Sequence, residues 1–153
     1  MIRRAARTVP VGLTAAVIVL LLAIAATAQA LSVEVTTVQA SLEGPSDAQL
    51  LPFRPRLRRL VGYRAFRVIR EETRPCVWRN REAFVIPGGR LLHVLPKGMR
   101  EEAVVMQVQL LEGPRSLVDT DVRLQNRGVM LFGVDPERGT ANGVIIIMLK
   151  AEE

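Results

Sequence analysis

Residues 102–124 read EAVVMQVQLLEGPRSLVDTDVRL, and their pattern decides the fold class. Val104, Met106, Val108 and Leu110 fall on one face, with Gln107 and Gln109 opposite. A period of two marks a strand with one buried side. Glu112-Gly113-Pro114-Arg115 then turns the chain. Beyond it, Val118, Thr120, Val122 and Leu124 alternate with Asp119, Asp121 and Arg123, a second half-buried strand.

The same grammar extends in both directions. Upstream, residues 31–40 alternate Val33, Val35 and Thr37 with Ser32, Glu34 and Thr36. Residues 82–86 form a short strand, Pro87-Gly88-Gly89-Arg90 a turn, and 91–95 the return strand of a hairpin. Pro96-Lys97-Gly98 reads as another turn. Downstream, Asn126-Arg127-Gly128 is a turn and 129–134 a buried-looking strand. Residues 135–142 are a polar loop, and 144–149 an unbroken aliphatic run between Gly143 and Lys150, which predicts a central strand. One segment departs from this pattern. Leu50, Phe53, Leu57 and Leu60 recur at spacings of three and four, and Ser46 or Asp47 is placed to cap. Pro52 and Pro55 restrict a clean helix to about residues 55–61, with Gly62 ending it. From Tyr63 the β pattern resumes through Phe66, Val68 and residues 73–78. The expectation is an all-β chain: one single-domain, mostly antiparallel β-sandwich with one short N-terminal helix, spanning 31–153.

Residues 1–30 carry Arg3, Arg4 and Arg7, then an apolar run from Val11 to Ala26, then Ala28-Gln29-Ala30. A basic head, an apolar core and small residues at a cleavage site form a signal peptide, with cleavage after Ala30. The competing reading is an uncleaved N-terminal anchor, for which the apolar run is just long enough. Either way the rest is periplasmic or exported, and touches the membrane only through this segment. No Cys near the boundary offers a lipid attachment point. Removing three of the 21 Lys+Arg leaves 18 against 15 acids, a net charge of +3 for the exported part.

That small net charge is unevenly placed. Residues 54–81 hold ten Arg (54, 56, 58, 59, 64, 67, 70, 74, 79 and 81) against Glu71 and Glu72, a net +8. The planar guanidinium fork suits phosphate and carboxylate. Arg56, Arg58, Arg59, Arg64, Arg67 and Arg70, with Tyr63 and Trp78 among them, are therefore the candidate anion or partner surface. An exported protein has no call on nucleic acid, so the partner expected there is an anionic lipid head group, an acidic glycan or an envelope protein.

Catalytic signals are sparse. The chain has one Cys and one His, which excludes a disulfide framework within the chain and the usual multi-His or multi-Cys metal sites. Cys76, after Pro75, reads as a buried inert thiol, and His93 as an ordinary strand residue; a Cys–His pair has no local motif behind it. Asp119, Asp121 and Asp135 match no calcium-loop spacing. No nucleophile elbow, phosphate-cradling Gly loop or paired-carboxylate motif occurs, so no catalytic residue, metal or cofactor is expected.

Five stretches carry a resemblance: Val33-Glu34-Val35 with Ala40-Ser41, Leu57-Arg58-Arg59-Leu60-Val61-Gly62-Tyr63-Arg64-Ala65-Phe66, Ile86-Pro87-Gly88-Gly89-Arg90, Leu117-Val118-Asp119-Thr120, and Gly143-Val144-Ile145-Ile146. In this outline the chain resembles a set of short exported bacterial β-rich proteins of uncharacterised function. The resemblance implies an exported small β-domain and no activity. Together these readings predict a non-enzymatic exported envelope protein, a protein-binding or assembly component. The alternatives are an anion-binding module using residues 54–81 and, as a third, a small envelope hydrolase.

Overall fold

The computed structural model describes residues 30–134 and 143–153. The targeting segment up to residue 29 and the 135–142 loop, with Asp135, lie outside them. Eight strands and one α-helix are described: β1 (Leu31–Ser41), α1 (Arg54–Val61), β2 (Ala65–Cys76), β3 (Glu82–Ile86), β4 (Arg90–Arg100), β5 (Ala103–Glu112), β6 (Arg115–Gln125), β7 (Val129–Val134) and β8 (Val144–Glu152). They form two four-stranded sheets, ordered β2-β1-β8-β7 and β3-β4-β5-β6, and all the pairings are antiparallel.

One buried cluster joins the two sheets. Leu31, Val33 and Val35 of β1 and Ile147, Leu149 and Ala151 of β8 meet Phe84, Leu92, Val94, Met106 and Val108 of the second sheet. A second cluster lies on the other side of the first sheet, where Val38, Ala40, Ile146 and Met148 pack with Leu57 of α1, Leu50 and Phe66. The first sheet is thus covered on both faces. That is why β8 is an aliphatic run without alternation: Ile146 and Met148 face α1, while Ile147 and Leu149 face the second sheet. β5 and β6 alternate because their outer face is open. There Gln107 Nε2 donates to Asp119 at 2.8 Å and Lys97 Nζ to Asp121 at 2.7 Å.

α1 begins one residue before the expected boundary, with Pro55 in its first turn. Gly62, at φ 72°, ends it in the left-handed region, its N–H bonding Arg58 O at 2.8 Å. Pro52 divides the apolar stripe, so Ala48–Phe53 winds as a 3₁₀ turn instead. Ser46 and Asp47 do not cap this turn with their side chains. Their oxygens take the β2 edge instead: Ser46 Oγ accepts from Phe66 N–H at 3.0 Å and Asp47 Oδ2 from Val68 N–H at 2.7 Å. The start of an edge strand is thereby closed to further pairing.

A second expectation is corrected at Pro96-Lys97-Gly98. β4 does not turn there but continues to Arg100, with Lys97 as an extra residue between the Pro96–Met106 and Gly98–Val105 pairs. Proline lacks the donor and glycine relaxes the backbone, properties that serve a bulge as well as a turn. The chain reverses at Glu101 and Glu102, both at positive φ. Similar one-residue insertions occur at Ile69 in β2 and Leu117 in β6.

The insertion at Ile69 reverses which side of β2 faces the core. Before it, Phe66 and Val68 point toward α1; after it, Arg70, Glu72, Arg74 and Cys76 point toward the gap between the sheets. Arg70 and Arg74 both pair with Glu72, and Arg74 reaches the second sheet. It donates to Ala83 O at 3.0 Å and lies 5.4 Å from the Phe84 ring centroid. A polar ladder thus closes one side of the molecule.

Candidate functional site

α1 is positioned by what lies beneath it. Leu57 is fully buried among Leu50, Phe66 and Ile146, a burial worth about 2 kcal/mol. Fixing Leu57 inward fixes the other positions. Arg56, Arg59 and Leu60, at i, i+3 and i+4, share the flank that faces β7. Arg56 reaches across and donates to Val129 O at 2.8 Å, which seats its guanidinium against the β7 edge. Arg58 leaves on the opposite flank, and Arg64 follows in the turn after Gly62; both are exposed.

Two open grooves run along the β7 flank. One, of about 290 Å³, is lined by Arg56, Arg59, Leu60 and Leu131. The other, of about 380 Å³, is lined by Leu60, Val61, Gly133 and Val144. Leu60 is common to both. Gly133 adds no side chain to the second, and among the described residues a Cβ added there would meet Val61 Cγ1 at 3.6 Å.

The electrostatics follow from the sequence. No acid occurs between Asp47 and Glu71, and the Asp47 carboxylate is engaged by β2. Among the described residues, Arg56, Arg58, Arg59, Arg64 and Arg67 have no carboxylate partner, and all five are exposed. Their field is not cancelled locally.

The structure divides the residues that the sequence grouped. Arg56, Arg58, Arg59 and Arg64 lie together on and beside α1. Tyr63 is half-buried against the cluster beneath the helix. Arg67 projects from the side of β2 opposite Phe66 and Val68, and Arg70 is held by Glu72 at 3.3 Å. Trp78 does not join them. It packs against the cluster between the sheets, beyond the far end of β2 from α1. Ten residues of strand separate Phe66 from Cys76, roughly 30 Å. Arg79 and Arg81 sit beside Trp78 in that distant turn. Leu60 belongs by spacing to the apolar stripe but is 43% exposed, and Leu131, Gly133 and Val144 are in no candidate surface by sequence. The spacing of Leu60 to Arg56 is a local signal for it, but the other three join the site only through strand pairing.

The catalytic alternatives are separated. Cys76 faces the inter-sheet core, whereas His93 is on the outer face of β4, opposite Leu92 and Val94. Asp119 and Asp121 share the outer face of β6 and are bonded by Gln107 and Lys97. Among the described residues no group of three His, Cys, Asp or Glu is placed to hold a metal ion. Burial pushes the Cys76 thiol up to about 11; Glu82 adds to the rise and Arg74 opposes it. At pH 8 about one thiol in a thousand is then ionised. Cys76 is expected to resist a disulfide reagent in the folded protein and to react within minutes in denaturant. A thiol titration in the two conditions reads this, and rapid reaction of the folded protein would contradict the burial.

On the opposite side of the molecule, Val85, Leu91 and Leu111 stand in register on three adjacent strands of the second sheet. Val85 is 48% and Leu91 40% exposed.

Comparison with protein-family models, curated proteins and solved structures gives no match to this chain.

Proposed function

We propose that the chain is an exported, non-enzymatic binding component of the bacterial cell envelope, built as a single β-sandwich and delivered by the signal segment at residues 1–30. Its binding surface is the α1 face, and its partner is anionic, a lipid head group or an acidic glycan. One observation carries this reading: Arg56, Arg58 and Arg59 on α1 and Arg64 just after it are all exposed, with no carboxylate to neutralise them among the described residues. Evenly scattered arginines, or arginines paired with Glu, would favour a purely structural role. Among the described residues the pairing within this region involves Arg70 and Arg74.

The test is co-sedimentation of the exported protein, after cleavage of the 1–30 segment, with vesicles at two salt concentrations. Binding to phosphatidylglycerol vesicles at 50 mM salt, lost at 500 mM and absent from phosphatidylcholine, is expected. The Debye length shrinks from about 14 to about 4 Å over that range. Equal binding to both lipids, or none to vesicles or an acidic polysaccharide, would overturn the reading.

A second reading, a protein partner in envelope assembly, is favoured by the Val85-Leu91-Leu111 row, an apolar strip on an open sheet face. Envelope protein retained at 500 mM salt is the result that this second reading expects.

A further inference from the structure

The four edge strands of the two sheets are unequally protected. β2 has Ser46 and Asp47 bonded to Phe66 and Val68, the inserted Ile69, and Pro75. β3 is short, and Arg74 takes its Ala83 O. β7 is short too, and Arg56 takes its Val129 O. β6 runs from Arg115 to Gln125, and among the described residues no strand pairs with its outer side. Its inserted Leu117 lies near the start, so residues 118–125 form an uninterrupted edge. The Ser116 and Thr120 hydroxyls lie 3.4 Å from Val118 O and Asp121 O, too far to close it. Such an edge is a template for a further strand. We infer that β6 pairs antiparallel with β6 of a second copy about a two-fold axis at Val122, joining the two four-stranded sheets into one.

The side chains select both the partner and the register. With Val122 opposite Val122, Asp121 of each copy faces Arg123 of the other, and Asp119 faces Gln125. Every outer-face pair then sets a carboxylate against a cation or an amide donor, and the two-fold axis makes each pair twice. Sliding the copies by two residues sets Asp121 against Asp121 or Arg123 against Arg123. Sliding them by one turns inner side chains against outer ones. The ion pairs within each copy continue the pattern. Lys97 Nζ holds Asp121 at 2.7 Å, and Arg123 holds Glu101. Across the joint the charges run Lys97, Asp121, then Arg123 and Glu101 of the second copy, alternating in sign. On the inner face Thr120 is exposed although it points toward the other sheet, and Leu124 of the second copy would cover it.

The joint lies away from the 135–142 loop. Arg127, just past β6, donates its N–H to Ala151 O near the end of β8, whereas Val134, where that loop begins, pairs with Ile145 at the start of β8. A ribbon of this length belongs to the small, transient class of interfaces, so half-dimerisation is expected at roughly 10–100 µM. The inference does not depend on the α1 face: dimerisation can fail while vesicle binding persists, and the reverse.

The experiment is sedimentation velocity of the exported protein, after cleavage of the 1–30 segment, up to about 500 µM at about 0.1 M salt. A reversible monomer–dimer equilibrium is expected. Asp121→Arg and Arg123→Asp each turn two opposite-charge pairs into two like-charge pairs, and each should weaken dimerisation at least tenfold. Together they restore opposite charges across the joint, so the double variant should dimerise more tightly than either single one. The ion pairs lost within each copy are exposed, so the melting temperatures should hold. Should either variant fold poorly, Gln125→Asp repeats the test without breaking an ion pair. It sets an acid against Asp119 of the second copy and should weaken dimerisation at least threefold. Leu91→Gln, on the outer face of β4, should leave it unchanged. A protein that stays monomeric throughout overturns the inference. So does a dimer indifferent to Arg123→Asp and Gln125→Asp, a double variant weaker than both single ones, or a dimer abolished by Leu91→Gln.

Discussion

Replacing Arg56, Arg58, Arg59 and Arg64 together with Gln is expected to weaken binding to phosphatidylglycerol vesicles by about 100- to 1,000-fold. A basic side chain close to an anionic surface contributes about 1 kcal/mol, so four amount to at most ~4 kcal/mol, or about 1,000-fold. Arg58 leaves α1 on the flank away from the grooves, and its smaller share gives the lower bound. The fold has little reason to suffer. The four side chains are exposed, and among the described residues none pairs with a carboxylate. The bond from Arg56 to Val129 O is lost, at a cost of about 1 kcal/mol or less at an exposed site. Against that, neutral side chains relieve like-charge contacts along α1, each worth about 0.2–0.5 kcal/mol. The melting temperature is therefore expected to stay within about 3 °C. The control is Arg79→Gln with Arg81→Gln, which removes two charges from the distant turn. It should change vesicle affinity less than threefold. Equal losses per charge from both ends would mean that total charge, not the α1 face, attracts the membrane.

That contrast between two arginine groups was not legible in the sequence, and the reason is physical. Alternation in β5 and β6 was readable because each has one wet face, and the aliphatic run of β8 because both its faces are covered. α1 was readable because Pro55 and Gly62 mark its ends with local chemistry. A single inserted residue has no comparable mark. Ile69 looks like any β-branched strand residue, yet its insertion decides that Arg70 and Arg74 turn to the rim while Phe66 and Val68 turn to the helix. Pro96-Lys97-Gly98 has the composition of a turn and forms a bulge, because strand β5 continues beside it. Asp47 has the position of a cap, but Val68 N–H, 21 residues away, competes for its carboxylate and wins. The candidate site shows the same division. Its charge is visible in composition, while its grooves bring Leu60 to Leu131 and Gly133 across some seventy residues, through sheet pairing that no local pattern specifies.

Phe84→Ala is expected to cost about 3–5 kcal/mol, the usual range for removing a fully buried aromatic ring. A domain of this size is held by about 5–15 kcal/mol in all, so the variant loses a large part of its stability. At about 3–5 °C per kcal/mol, the melting temperature falls by roughly 10–25 °C. Position explains why this ring matters. β3 has five residues, and among the described residues its one sheet neighbour is β4. Its backbone ladder alone cannot hold so short an edge strand, and Phe84 and Ile86 anchor it between the sheets. The Phe84 ring also underlies the Arg74 guanidinium, at 5.4 Å, a contact worth about 0.5–1 kcal/mol. Without the ring, Arg74 keeps its bond to Ala83 O but loses the surface that orients it. The loss therefore spreads to the polar ladder along β2, and Phe84→Ala with Arg74→Ala should be less than additive. Val85, the next residue, supplies the internal comparison. Its side chain is on the outer face and 48% exposed, so Val85→Ala should cost no more than about 1 kcal/mol. Urea unfolding of Phe84→Ala, Arg74→Ala, the double variant and Val85→Ala measures these differences. A Phe84→Ala cost near that of Val85→Ala would show that β3 does not close the core, and the two-sheet packing described here would have to be redrawn on that side.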